Sequence, residues 1–115
     1  MSENLKMKAA VRQVVSMLVQ GDYETLERLT NGVRLTAAEM AEGVREYGGS
    51  LILPPDDAFE NLDVVEVDGV EPRAWSVNVY LWTAEEGRSD LTLELTLRES
   101  GKEIFDVEID NIHVL

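Results

Sequence analysis

The sequence predicts a single domain of the α+β class. Up to residue 47, apolar residues recur every three or four positions, which is typical of amphipathic helices. From residue 62 onward they recur every second position, which is typical of strands with one buried face. Helices followed by a run of strands indicate an antiparallel sheet. We therefore predict one domain over residues 1–115, with three N-terminal helices packed on one face of a curved four-stranded antiparallel sheet.

The first helix is predicted over residues 5–20, where the apolar spacing is clearest. Gly21 ends it, because glycine readily takes the left-handed conformation at a helix C-terminus. Asp22 can then cap a second, short helix, since its carboxylate can accept hydrogen bonds from the free amides of the first turn. Asn31 and Gly32 stop that second helix.

A third helix is predicted from its capping box. Thr36 is followed three residues later by Glu39, a spacing that lets each side chain bond to the backbone of the other residue. The two glycines at 48–49 close this helix. Beyond them we predict a short extended piece at 51–53 and a single helical turn at 56–61.

Four strands are predicted, over residues 62–68, 74–83, 89–98 and 103–115. In the last three, the apolar side chains alternate and should form the core against the helices. These side chains are Trp75, Val77, Val79, Leu81, Leu91, Leu93, Leu95, Leu97, Phe105, Val107 and Ile109. After Asp110 the apolar phase moves from odd to even numbers, which predicts a β-bulge at Asp110-Asn111.

The opposite face of the predicted sheet is polar and acidic, with two aromatic residues in it. This candidate interaction face comprises Asn78, Tyr80, Trp82, Glu94, Asp106, Glu108 and Asp110. Large aromatic side chains on a polar surface are typical of interface anchors. Three explanations of Tyr80 and Trp82 are open: a second subunit or protein partner binds them, residues 48–61 cover them, or they line a small-ligand site.

The negative charge is concentrated in the strand half of the sequence. Residues 1–50 carry six Lys/Arg and seven Asp/Glu, residues 51–115 carry four and sixteen, and the net charge is −13. Such a chain would repel phosphates, which argues against nucleic acid and anionic membrane surfaces as partners. The charge favours either simple solubility or a basic protein partner.

Composition excludes several kinds of site. The chain has no cysteine, which rules out disulfides and thiol chemistry, and its one histidine, His113, rules out a multi-histidine metal site. No apolar run approaches the roughly 18 residues that span a bilayer. The first residues lack the apolar core of a secretory signal. We expect a cytoplasmic protein with no cofactor and no metal.

Two groups of polar residues have the residue types that chemistry needs, and neither predicts catalysis. His113 and Asp110 are a histidine–carboxylate pair, but three residues apart on a strand they point to opposite faces unless the bulge intervenes. Asp106 and Glu108 extend the acidic stripe, yet a flat strand offers too few oxygen ligands for calcium. We therefore predict no catalytic residue and no metal ligand.

The hairpin between the second and third long strands is densely polar. Glu85, Glu86, Arg88 and Asp90 form a candidate recognition loop, since binding residues are often found on loops held by a rigid scaffold. The alternative is a well-solvated hairpin in which Arg88 pairs with a neighbouring acid.

Three segments carry a family resemblance. They are the opening Val15–Leu26, which contains Gly21-Asp22-Tyr23, the capped third helix, and the ending Ile109–Leu115. Together they resemble the nuclear-transport-factor-two-like superfamily, whose fold is a cystatin-like α+β roll. Residues 81–91 also resemble a small bacterial family of uncharacterised proteins.

The resemblance implies a conical fold with a pocket between sheet and helices, and frequent dimerisation through the open sheet face. It implies no particular chemistry, because the superfamily includes isomerases, dehydratases, polyketide cyclases, immunity proteins and binding modules. Its enzymes usually place an Asp/His or Tyr/Asp pair inside the pocket. In this sequence the inward positions are almost entirely aliphatic.

We therefore expect a non-enzymatic protein-interaction module that forms a homodimer or binds a basic protein, as an immunity or accessory protein does. The alternative is a small-ligand binder, or an isomerase-like or cyclase-like enzyme that uses the pocket. That alternative needs a polar group inside the pocket, for which the candidates are Tyr23, Tyr47, Asn78 and His113.

Overall fold

A computed structural model of the protein describes residues 3–32, 34–60, 62–101 and 104–114. Within these ranges the chain forms three helices and five strands, which confirms the α+β class. They are α1 (Glu3–Gln20), α2 (Tyr23–Leu29), α3 (Ala37–Tyr47), β1 (Leu51–Ile52), β2 (Asp63–Glu66), β3 (Ala74–Thr83), β4 (Gly87–Arg98) and β5 (Asp106–Val114). A 3₁₀ turn, Asp56–Phe59, lies between β1 and β2. None of the helices in the described ranges is long and apolar enough to cross a bilayer.

The predicted capping box of α3 is confirmed. The Thr36 amide donates to Glu39 Oε1 at 3.0 Å, and the Glu39 amide donates to Thr36 Oγ1 at 3.2 Å. The predicted cap by Asp22 is wrong, because its side chain makes no capping hydrogen bond. The end of α1 fixes the Asp22 backbone instead: Gly21 takes a φ of +73°, and the Asp22 amide donates to the Met17 carbonyl at 2.9 Å.

The sheet is antiparallel and has one more strand than predicted. Its order is β1–β3–β4–β5, and β2 also pairs with β3. β1 and β2 therefore share one edge of β3, with β1 opposite residues 82–83 and β2 opposite residues 75–78. The extra strand is the extended piece at 51–53, which pairs briefly before Pro54 and Pro55 stop the ladder.

Strand boundaries differ from the prediction by a few residues. β2 is shorter than 62–68, β3 is as predicted, β4 begins two residues early, and β5 begins at Asp106 rather than at 103. Three positions of the predicted elements lie outside the described residues, namely Asn61, Glu103 and Leu115.

One apolar cluster joins the helices to the core side of the sheet. From the strands it contains the predicted side chains, all buried except for Phe105 and Val107, which are partly buried against it. The helices contribute Met7, Val11, Val14, Val15, Leu18, Leu26 and Met40. Phe59 of the 3₁₀ turn, only 1% exposed, completes the cluster.

The bulge predicted in β5 is confirmed. Glu94 lies opposite Asn111 and Leu95 lies opposite Ile109, so Asp110 is the extra residue. A second irregularity, which the alternation pattern did not predict, falls in β4 opposite Leu81. There the Ser89 hydroxyl donates to the Leu81 carbonyl at 2.7 Å.

Candidate interaction face

The side of the sheet away from the core carries polar and aromatic side chains, and we call it the open face. Its members in β3, β4 and β5 follow from strand register, and they are Ser76, Asn78, Tyr80, Trp82, Thr92, Glu94, Thr96, Arg98, Asp106, Glu108, Asn111 and His113. All are half-buried or exposed except Thr92, which is buried. Asn78, Tyr80, Trp82, Glu94, Asp106 and Glu108 are therefore on one surface, as the sequence pattern predicts. Asp110, the bulge residue, also turns its carboxylate to this side, where it bonds to Thr96.

Tyr80 lies in the middle strand of the open face and is 49% exposed. The guanidinium carbon of Arg88 lies 4.9 Å from the centroid of the Tyr80 ring, within the range of a cation–π contact. Arg88 reaches this position because the irregularity in β4 places it opposite Trp82. The sequence assigned Arg88 to the hairpin loop, whereas the structure brings it onto the open face.

Trp82 has close neighbours in both adjoining strands. It is half-buried, with Ile52 of β1 and Arg88 of β4 as its register partners. An added Cβ at Gly87 would lie 3.7 Å from the Trp82 ring, so the glycine backbone also lies close to the indole. Of residues 48–61, Ile52 thus lies beside Trp82 in the sheet.

The acidic stripe on β5 is paired rather than freely solvated. Glu108 Oε2 accepts a hydrogen bond from Arg98 Nε at 3.1 Å, and Asp110 Oδ2 accepts one from the Thr96 hydroxyl at 2.7 Å. The other Asp110 oxygen is buried and lies 2.9 Å from Arg34 Nε, without the alignment of a hydrogen bond. The arginines thus fix the positions of these carboxylates and offset part of their charge.

His113 pairs with Glu94, not with Asp110. Its Nε2 lies 2.5 Å from Glu94 Oε2, and its Nδ1 lies 3.4 Å from Asn111 Nδ2. The bulge explains this arrangement, since the extra residue at Asp110 leaves Asn111 and His113 on the open face beside Glu94. The three side chains lie together on the surface of the sheet, each of them half-buried.

The remaining loop residues hold the hairpin to α3 and to the start of β1. The Tyr47 hydroxyl donates to Glu86 Oε1 at 2.7 Å, and the Ser50 amide donates to Glu85 Oε1 at 2.9 Å. The Asp90 amide in turn donates to the Tyr47 hydroxyl at 3.3 Å. Glu85 and Glu86 therefore have structural partners that the sequence pattern could not supply.

The pKa values of this hairpin agree with its hydrogen bonds. The bond from the Tyr47 hydroxyl to Glu86 raises the pKa of Tyr47, because it stabilises the protonated phenol beside a carboxylate. The bond from the Ser50 amide lowers the pKa of Glu85, because it stabilises the ionised carboxylate. Both groups keep their ordinary charge at neutral pH.

A cleft on the other side of the molecule lies between α1, α2 and the start of β5. Its volume is about 420 Å³. The lining side chains are mostly apolar: Ala9, Ala10, Val14, Leu26, Leu29, Ile104, Phe105 and Val107, together with Lys6, Gln13, Thr30 and Asp106. Asp106, which pairs with Arg98 in the sheet register, also borders this cleft, because it stands at the first residue of β5. None of Tyr23, Tyr47, Asn78 and His113 lines it.

Metal binding has no support in the described part of the chain. No group of three or more histidine, aspartate or glutamate side chains there is arranged to hold an ion. Glu108, Asp110 and Glu94 are instead paired with an arginine, a threonine and a histidine side chain, respectively.

The comparisons with known proteins place the chain in a family. No curated protein and no solved structure gives a match to it. One family model, described as "Domain of unknown function (DUF7668)", matches residues 15–115. This range includes the last third of α1, all later elements and every residue of the open face. The chain therefore belongs to the DUF7668 family.

Proposed function

We propose that the protein is a non-enzymatic interaction module that binds a basic partner protein through the open face. The observation that carries this proposal is the state of Tyr80, a large aromatic side chain 49% exposed in the middle strand and stacked by Arg88. Burying such a ring against a partner gives affinity. Because Arg88 already holds the ring, little conformational freedom is lost on binding.

Charge supports a basic partner over a second copy of the chain. The net charge of −13 attracts a basic protein at long range and speeds encounter. Two copies would instead bring together two chains that each carry −13. A homodimer through the open face, which the family resemblance implies, is therefore the less favoured version of this proposal.

The cystatin-like roll is part of the proposal. It is supported by the apolar cluster that joins α1 and α2 to the core side of the sheet, and by the bulge that bends β5. A roll of this kind leaves one sheet face uncovered. We also propose a cytoplasmic location, since a fold without cysteine does not depend on an oxidising compartment.

Replacing Tyr80 with alanine tests the proposed function. We expect affinity for the partner to fall at least about tenfold, because loss of a buried aromatic anchor costs roughly 2 kcal/mol or more. The free energy of unfolding should change by less than about 1 kcal/mol, since the ring is half exposed. Affinity is measured by calorimetry on a partner recovered with the wild-type protein, and unfolding by urea titration.

Tyr80→Phe is the matched control, because it keeps the ring and its contact with Arg88. It should bind within about threefold of wild type. Light scattering of the isolated wild type separates the two versions of the proposal, since a stable dimer lost in Tyr80→Ala identifies the second copy as the partner. If Tyr80→Ala retains both full affinity and the wild-type mass, the open face is not the binding surface.

A second candidate function is the binding of a small apolar molecule in the cleft. The apolar lining and the volume of about 420 Å³ favour it, since ligand pockets of 300–1,000 Å³ are typical. Thr30, the buried polar group there, already donates its hydroxyl to the Leu26 carbonyl at 2.8 Å. The cleft therefore offers packing but little orientation of a substrate, which argues for binding rather than catalysis.

Dye binding tests the cleft. The native protein should bind an anilinonaphthalene dye saturably, and Ala9→Trp should reduce this binding severalfold by filling the cleft from an exposed position of α1. Ala38→Trp, at an exposed position of α3 away from the cleft, is the control. Equal dye binding by both variants would exclude the cleft as the site.

A further inference from the structure

The outer edge of β2 is free and apolar. β2 pairs with β3 on one side, and within the described ranges no strand pairs with its other side. The valines in and beside it are exposed: 36% for Val64, 61% for Val65 and 37% for Val67. Free strand edges with apolar side chains are templates for an added strand.

The backbone groups that point outward at this edge can be identified. The Val67 amide donates to the Ala74 carbonyl at 2.9 Å, so Val67 faces β3. In an antiparallel pair the inward and outward positions alternate, so Asp63 and Val65 also face β3. The amides and carbonyls of Val64 and Glu66 therefore point away from the sheet and are available to another strand.

The charge around this edge is strongly negative. Residues 56–72 contain seven Asp/Glu and no Lys/Arg. Three of the acids are paired with cations from elsewhere: Asp56 with Arg12, Glu60 with Lys8, and Glu66 with Arg73. The other four, Asp57, Asp63, Asp68 and Glu71, are exposed and have no ion-pair partner among the described residues.

These acids select the occupant of the edge. A second copy of β2, paired antiparallel through its own outward residues, would bring the Asp63, Glu66 and Asp68 carboxylates of both copies onto one edge, and would place Glu66 opposite Glu66 where the pair is centred on that residue. Like charges opposite each other destabilise a ladder. A strand with lysine or arginine beside its apolar residues would instead meet the four unpaired carboxylates.

We propose that the free edge of β2 accepts an extended, basic segment of a partner protein as an added antiparallel or parallel strand. The outward backbone groups of Val64 and Glu66 supply the hydrogen bonds, and the valines supply apolar contact. This inference rests on the proposed function for the basic character of the partner. It differs in placing the partner's segment at the sheet edge rather than on the open face.

A synthetic peptide tests the edge directly. The probe has nine residues, with two lysines at each end and valine and threonine alternating between them. Titrated into ¹⁵N-labelled protein in low salt, it should shift the amide signals of residues 63–68 saturably. Hydrogen exchange at the Val64 and Glu66 amides should slow when the peptide is bound, because these amides become hydrogen-bonded.

Val64→Pro removes one outward amide while leaving the bonds to β3 in place, since proline is tolerated at a strand edge. We expect peptide affinity to fall about tenfold. Val64→Thr keeps the amide and the β-branched shape, so it should bind within about twofold of wild type. Raising the salt from 50 to 500 mM should weaken binding severalfold, because the charges are exposed.

N-methylated peptides keep the test independent of variant folding. Methylation of the alternate peptide amides that face β2 should abolish binding, because these amides form the ladder. Methylation of the intervening amides, which face away from β2, should leave binding intact. If both methylated peptides bind alike, or if the shifts fall on the signals of Tyr80 and Glu94, strand addition is overturned while the open face stands. If the natural partner is lost with Val64→Pro but kept with Tyr80→Ala, the edge stands and the open face does not.

Discussion

Replacing Phe59 with alanine is expected to lower the free energy of unfolding by about 3–5 kcal/mol. Phe59 is 1% exposed and belongs to the single apolar cluster. Truncation would remove its buried surface and leave a cavity. The ring also lies under Arg12, whose guanidinium carbon is 4.5 Å from its centroid. Urea unfolding followed by circular dichroism measures the loss.

The matched control is Asp57→Ala, in the same 3₁₀ turn but exposed. It should change the free energy of unfolding by less than about 0.5 kcal/mol. A loss below about 1 kcal/mol for Phe59→Ala would show that the core closes without it. The expected large loss would mean that burial of this one ring, more than the exposed ion pairs of Asp56 and Glu60, holds the connection between β1 and β2 in place.

Replacing Gly43 with leucine is expected to cost about 1–3 kcal/mol of unfolding free energy. An added Cβ at Gly43 would lie 3.1 Å from the Ile112 carbonyl oxygen, which is tighter than nine in ten real Cβ contacts. Leucine has better helix propensity than glycine by roughly 1 kcal/mol. The close approach of α3 to β5 should outweigh this gain, because the atom in the way belongs to the backbone.

Ala38→Leu is the control for the second prediction, since it adds leucine at an exposed position of the same helix. It should be neutral within about 0.5 kcal/mol. Proton chemical shifts of His113 report whether β5 moves, because His113 follows the residue that Gly43 contacts. A Gly43→Leu variant as stable as wild type would mean that α3 can shift away from β5 at no cost.

Local signals predicted most of the fold. The alternation of Leu91, Leu93, Leu95 and Leu97 assigned both faces of β4, and the phase change after Asp110 located the bulge. The capping box located the start of α3. Each of these signals lies within a few residues of the structure it specifies, so tertiary contacts had little to change.

The errors came from contacts between distant parts of the chain. Leu51 and Ile52 look like a connection, and they become a strand because the end of β3 offers them a partner. Asp22 carries a good capping side chain, yet its backbone conformation is set by the end of α1. Neither outcome can be found from the spacing of nearby residues.

The candidate face was predicted in outline but not in its interactions. The alternation of side chains along each strand correctly predicted that Tyr80 and Glu94 lie on one surface. The partners of the acids could not be predicted in the same way, since Arg34 comes from the loop before α3 and the contact of Arg88 with Tyr80 depends on an irregularity in β4. The pair of Arg98 and Glu108 could have been predicted, because opposite charges on neighbouring antiparallel strands often pair and these two residues lie close to the β4–β5 connection.

The bulge in β5 has a consequence for how the gene can change in length. Asp110 is the one residue of β5 that has no register partner in β4. Deletion of its codon would leave Ile109 followed by Asn111, with side chains alternating regularly between the core and the open face. Ile112 would stay in the core, and only a carboxylate would be lost. Losing the neighbouring codon for Ile109 would instead move Asp110 into the core. Deletion of Asp110 would thus straighten the strand, whereas deletion of Ile109, one codon earlier, would bury a charge in the core.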